Sequence, residues 1–191
     1  AVLGAGLILA AGSEAQKTEL LPKIASGDLL TALALEETTH HNPANVAMTV
    51  EKSGDGFKLT GEKRFVIDGH IADTLIVVAR TGGAAGETQG LSMFLVDAKA
   101  KGVTVTRTHM VDSRNAAMVA LDGVEVSADA ALGSIGGAFA ELENVLDLGR
   151  ASLAAEMLGG AEAVFDTTLE YLKERKQFGV IIGTFQALKH R

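Results

Sequence analysis

The spacing of apolar positions changes twice along the chain. Ala1 to Ala10 is an apolar run of helical character. Ser13 then stands three residues before Gln16, which predicts a capping box opening a second helix. That helix is expected to carry Leu20 and Leu21 to Pro22, with Lys23 to Asp28 turning the chain. From Leu29 the period falls to two. Leu29 to Leu35 reads as a buried strand, and Val46, Met48 and Val50 alternate with Ala47 and Thr49. Ser53-Gly54-Asp55-Gly56 marks a turn, with Phe57 to Thr60 returning as a hairpin partner. Further strands are expected at Lys63 to Ile67, Thr74 to Ala79, Leu91 to Val96, Val103 to Arg107, Ala117 to Leu121 and Val124 to Val126. Gly82 to Gly90 reads as a flexible hairpin loop. After Gly133 the helical period returns, with Leu142, Leu146, Leu153, Met157, Val164, Thr168 and Leu172 able to share one stripe.

Many short strands separated by turns and flanked by helices predict an α+β chain with an antiparallel β-barrel or sandwich in its middle. Gly149, Gly159 and Gly160 interrupt good helix formers. At Gly159-Gly160 close helix packing is a better reading than a cofactor loop.

Composition narrows the function classes. At 191 residues and 47% hydrophobic, the chain can bury a real core. A formal net charge of −7 argues against a nucleic-acid role resting on a basic surface. The absence of cysteine excludes disulfides and thiolate zinc sites, and is compatible with a reducing compartment such as a bacterial cytoplasm. The apolar start lacks a preceding basic segment and is too short to span a bilayer. We read it as a helix that was cut into. Ala187 to Arg191 likewise stops inside an apparent helix, so the sequence reads as part of a larger protein. His40 and His41 are adjacent and would point to opposite sides of an extended segment, the pattern of a solvated loop rather than a metal site.

The densest chemistry lies in Glu174-Arg175-Lys176-Gln177-Phe178-Gly179, followed by Thr184-Phe185-Gln186. Arg175 offers a permanently charged fork suited to a pyrophosphate. Phe178 offers a flat face for an aromatic ring system. Gly179 suits the position after a helix end, where positive φ is common. The stretch resembles the Glu-Arg-x-x-Phe-Gly … Phe-Gln signature of the acyl-CoA dehydrogenase family. Leu59-Thr60-Gly61-Glu62-Lys63 resembles that family's entry into its flavin-side strand. Leu121-Asp122-Gly123-Val124-Glu125-Val126 resembles its closing strand, with Ser127 where proline is usual. The resemblance runs from about Gly12 to Arg191.

It implies three domains: residues 1–28 ending an N-terminal helical domain, 29–131 a middle β domain, and 132–191 the first helices of a C-terminal helical domain. It also implies FAD-dependent oxidation of an acyl-CoA thioester between its α and β carbons. Arg175, Gln177, Phe178 and Gln186 match cross-subunit FAD contacts, and Phe65 keeps an aromatic face beside the flavin. Asp147 and Arg150 match helix positions near the acyl-CoA headgroup. The partners implied are a homo-oligomer or a mixed oligomer, and an electron-accepting flavoprotein.

Three departures accompany these matches. Where the family usually has a hydroxyl residue, a glutamate and a Gly-x-Gly-Ser-Asp-like loop, this chain reads Leu35-Glu36-Glu37-Thr38-Thr39-His40-His41-Asn42-Pro43. Leu35 offers no hydroxyl, and bulky residues replace glycines that let backbone approach a ligand. Phe65-Val66-Ile67-Asp68-Gly69 replaces aromatic-x-Thr-Asn-Gly, and Ile67 loses a hydroxyl. Gly149 stands where some members carry the catalytic glutamate, so no catalytic base is named; Glu156 and Glu162 match no catalytic position. These departures point to an alternative, a non-catalytic subunit of a mixed oligomer that completes the FAD site of a sister chain.

Overall fold

The computed structural model describes residues 2–112 and 114–190. Ala1 and Arg191, the outermost residues of the two helices read as cut, lie outside the described residues. The chain divides into two compact units, Ala1–Leu148 and Gly149–Arg191.

In the first unit, α1 (Val2–Ala11) is followed by α2 (Glu14–Ser26). The capping box forms: the Gln16 amide donates to Ser13 Oγ at 3.2 Å, and the Ser13 amide to Gln16 Oε1 at 2.9 Å. Contrary to expectation, α2 does not stop at Pro22 but runs a further turn. Pro22 removes one amide donor on an exposed face, and the added turn lets Ile24 pack against the core. The exit comes at Gly27, whose φ of 84° ends the helix and lets its amide bond the Ile24 carbonyl.

The strands are β1 (Thr31–Ala34), β2 (Thr49–Ser53), β3 (Gly56–Ile67), β4 (Thr74–Arg80), β5 (Leu91–Asp97), β6 (Val103–His109), β7 (Asn115–Val126) and β8 (Ala131–Leu132). They form one eight-stranded sheet in the order β6-β7-β3-β2-β4-β5-β8, with β1 branching onto β4. The pairing is antiparallel apart from β1–β4 and the single β2–β4 pair Thr49↔Arg80. That pair joins two halves of the sheet. The Phe57 ring of one half meets the Phe94 ring of the other at 5.0 Å between centroids, so apolar side chains from both halves share a core. The α+β, antiparallel-dominated expectation therefore holds.

Two boundaries differ instructively. The expected strands 57–60 and 63–67 are one strand, β3, and 117–121 and 124–126 are one strand, β7. The break in alternation is a bulge: Leu59 pairs Val124, and Gly61 pairs Leu121, so one residue of β3 faces two of β7. A bulge shifts the phase of the pattern without ending the strand. Val46 and Met48 are buried and Ala47 exposed as the alternation predicts, yet β2 begins only at Thr49, and Leu29 and Leu30 precede β1.

α3 spans Phe139–Glu174. Within the first unit, its Leu142, Val145 and Leu146 enter the core. In the second unit most of the expected stripe is uncovered among the described residues: Leu153, Met157 and Val164 are exposed, Met157 by 66%, and Leu172 is half-buried. An added Cβ at Gly159 or Gly160 would meet nothing within 4 Å. The close packing expected there is not found among the described residues, because no described element lies against that face.

Candidate functional site

The segment between β1 and β2 carries the substituted loop, and its start is held by a buried cation. Lys63 lies at an inward position of β3 and is wholly buried. Its Nζ donates to Glu37 Oε1 at 2.6 Å and to the Leu35 carbonyl at 3.0 Å. Glu37 also accepts from the amides of Ala47 at 2.7 Å and Met48 at 3.0 Å. Burial pushes the Lys63 ammonium below its ordinary value, and the attraction of Glu37 opposes this without cancelling it. Glu36 pairs with His41, and the Arg64 amide donates to the Glu36 carbonyl at 2.7 Å. Leu35 turns into the hydrophobic core, while Thr38 to Asn42 are exposed.

Beside this loop, β3 carries a second bulge. Lys63 pairs Val119 and Val66 pairs Ala117, so Arg64 and Phe65 together face Met118. The extra residue puts both Arg64 and Phe65 on the outer face. Phe65 takes a φ of 53° and is 56% exposed. Ile67, on the same strand, is 60% exposed, and Asp68 takes a φ of 57° in the turn that follows.

In the second unit, α3 ends with the Arg175 amide bonding the Tyr171 carbonyl at 2.9 Å. A hairpin follows: β9 (Lys176–Gln177) pairs β10 (Val180–Ile181). Its two central residues, Phe178 and Gly179, have φ of 53° and 82°. Positive φ at both positions is the requirement of the tight hairpin turn that matches strand twist. Gly179 therefore does need positive φ, but in a hairpin turn rather than at the helix end. The chain then folds back so that Phe185 meets Phe178 edge to face, with centroids 6.4 Å apart. Phe178 remains 93% exposed. The Arg175 guanidinium is exposed and has no hydrogen bond or ion pair among the described residues, and Gln177 and Gln186 are exposed beside it. Asp147 and Arg150, three residues apart on α3, are both exposed. The structure thus places Arg175, Gln177 and Phe178 at one hairpin and Gln186 in the short helix that follows it, with Phe65 in the first unit.

The chain's similarities bear on this arrangement. The family description "Acyl-CoA dehydrogenase, middle domain" matches residues 32–124, and "Acyl-CoA dehydrogenase, C-terminal domain" matches residues 137–191. The chain belongs to the acyl-CoA dehydrogenase family. It is 32% identical over 190 residues to the caffeyl-CoA reductase-Etf complex subunit of Acetobacterium woodii, covering 97% of this chain and 50% of that protein. The structure of butyryl-CoA dehydrogenase from Megasphaera elsdenii matches with a TM-score of 0.90 at 30% identity, over 99% of this chain and 50% of that one. A glutaryl-CoA dehydrogenase from Mycobacterium smegmatis, solved in complex with FADH2, matches with a TM-score of 0.89 at 27% identity, over 99% of this chain and 48% of that one. The chain spans about half the length of the curated relatives it matches. Among the described residues, no helix is long and apolar enough to cross a membrane.

Two residues of this acyl-CoA dehydrogenase chain carry more of the site region than their sequence context suggests. In the sequence Lys63 appears only as the end of a family phrase and the start of an expected strand, and Arg80 lies one residue past the strand expected at Thr74 to Ala79. The available signal was a cation at an inward-facing strand position: Lys63 follows Leu59 and Gly61 in alternation, and Arg80 ends the run Leu75-Ile76-Val77-Val78-Ala79, all buried.

Proposed function

We propose that this chain takes part in the FAD-dependent dehydrogenation of an acyl-CoA thioester between its α and β carbons. The observation that carries this reading is the state of two phenylalanines. Phe65 and Phe178 both adopt a φ of 53°, and both rings face outward. A bulky side chain in the left-handed region costs on the order of 1–3 kcal/mol, and such residues cluster at functional sites. Among the described residues Phe178 gains one edge-to-face contact, with Phe185, and both rings stay largely exposed, so a bound ring system would add packing that the chain itself does not supply.

Bound FAD would accept the β hydride at its flavin ring. Residues of this chain would contribute to two such sites, its own and that of a neighbouring subunit. Arg175 supplies a fork with no competing partner among the described residues for the pyrophosphate. Gln177 stands on the hairpin, and Gln186 opens the short helix that follows it. Phe178 would pack against the FAD of a neighbouring subunit, and Phe65 would offer an aromatic face to a flavin held by its own chain. Arg150 and Asp147 face the acyl-CoA headgroup. No catalytic base is assigned in this chain.

A second reading rests on its own observation. The Leu35 side chain is committed to the core, and the exposed Ile67 side chain carries no polar group, so neither side chain can hydrogen-bond a flavin edge. This favours a subunit that lends Arg175 and Phe178 to a site on a sister chain, with its own site reduced. The visible flavin spectrum of the full-length protein purified alone, with FAD counted per chain, separates the two. About one FAD per chain supports the dehydrogenase reading. FAD appearing only with a related subunit supports the second. No FAD in either preparation overturns both.

A further inference from the structure

The substituted loop is held at its far end by a second buried cation, and this one has no carboxylate partner among the described residues. Arg80 closes β4 and is buried. Its Nε donates to the Val46 carbonyl at 2.8 Å. One Nη donates to Gly82 at 3.2 Å and Gln89 at 2.8 Å, the other to Ala44 at 3.0 Å and Glu87 at 2.9 Å, all backbone carbonyls. All five N–H donors of the guanidinium are thus used, which only a planar fork can do. The Arg80 amide donates to the Met48 carbonyl at 2.7 Å, and the Gly86 amide reaches the Ala44 carbonyl at 3.0 Å.

We propose that Arg80 is a positioning residue for the loop between β1 and β2, fixing where Thr38 to Pro43 can lie relative to β3. The loop start is tied to β3 through the Arg64 amide on Glu36 and through Lys63 on Leu35 and Glu37. Its end, Ala44 to Met48, is tied to β4 through Arg80, and Met48 lies against Gly61 of β3, where an added Cβ would come within 2.8 Å of Met48 Cγ. Between these two ties, Thr38 to Asn42 are exposed. The same guanidinium gathers residues 82–89, so two loops share one anchor. The effect on flavin binding rests on the function proposed above; the effect on the loop does not.

The test compares R80K and R80Q with the wild-type full-length protein by amide hydrogen exchange and by FAD per chain. Lysine keeps the charge but presents its donors from a single atom and cannot reach five carbonyls. Exchange at Asn45, Val46 and Gly86 should quicken at least about tenfold, the size expected for losing a hydrogen bond to a charged group, while Ile76 and Val78 in β4 stay protected. FAD per chain should fall in parallel. Unchanged exchange at Asn45 and Val46 overturns the proposal, as does equal loss of protection across β4 and β5, which would mark a purely structural residue. If wild type itself holds no FAD, the flavin reading fails while the exchange result still judges Arg80. Should neither variant fold, the wild-type Nη–H signals decide: separate, slowly exchanging resonances support the five-fold tie, and a single averaged signal overturns it.

Discussion

Lys63 Nζ sits 2.6 Å from Glu37 Oε1 with the lysine wholly buried and the glutamate nearly so. The pair does more than neutralise itself. Glu37 also takes the amides of Ala47 and Met48, and Lys63 takes the Leu35 carbonyl, so the charges sit inside a set of backbone bonds. Such pairs gain little over apolar replacements, yet losing one partner is costly because a buried charge is left behind.

K63M should therefore destabilise the protein by about 3 kcal/mol, read from urea midpoints. The double variant K63M/E37Q should recover part of this, since glutamine still offers an oxygen to Ala47 and Met48. K63M/E37L should not.

The pH dependence of Lys63 has a definite sign. Its folded value lies below its unfolded value of 10.5. Between those two values the unfolded chain binds more protons, so stability rises with pH. The burial cost is fully present below the folded value and is relieved as pH climbs toward 10.5. Wild type should gain stability relative to K63M over the alkaline range just below that pH. A flat difference between the two denaturation series would contradict this.

F65N tests whether the left-handed φ at Phe65 is held for function. Asparagine tolerates that region, so the change should stabilise by about 1 kcal/mol and raise Tm by a few degrees. Flavin binding should weaken, because the exposed ring is lost. A drop in Tm would show that the Phe65 ring contributes to packing instead.

On the hairpin, F178A should lower Tm by no more than a few degrees. The ring is exposed, and its contact with Phe185 contributes only about 0.5–1.5 kcal/mol. FAD titration of the full-length protein or its oligomer should show clearly weaker binding.

R175K should likewise leave folding intact, since the Arg175 guanidinium has no ion pair or hydrogen bond among the described residues. Replacing a fork by a point charge should weaken FAD binding by about tenfold. Unchanged affinity would remove Arg175 from the cofactor site.

Much of the fold was legible in period alone. Apolar runs and alternation pointed to β1 through β7 but not to the two-residue β8; the Ser13–Gln16 spacing announced its capping box, and Gly54-Asp55 its turn. Bulges were not legible, since a phase slip at Gly61 looks the same as a strand end. The site residues were read from motif spacing, which places Arg175 and Phe178 on one short stretch but is silent on the hairpin that turns Phe185 back onto Phe178.

By itself, then, the sequence determined the order and type of elements, the family, and the local grouping of Arg175, Gln177, Phe178 and Gln186. These rest on contacts between near neighbours in the chain, which periodicity and spacing encode. Tertiary structure decided the rest: that Lys63 meets Glu37, that Arg80 collects carbonyls from two loops, and that a bulge turns Phe65 outward. Each joins segments far apart in sequence, or depends on the register between strands. Only when the backbone is folded does a cation's burial meet the carbonyls that make it tolerable.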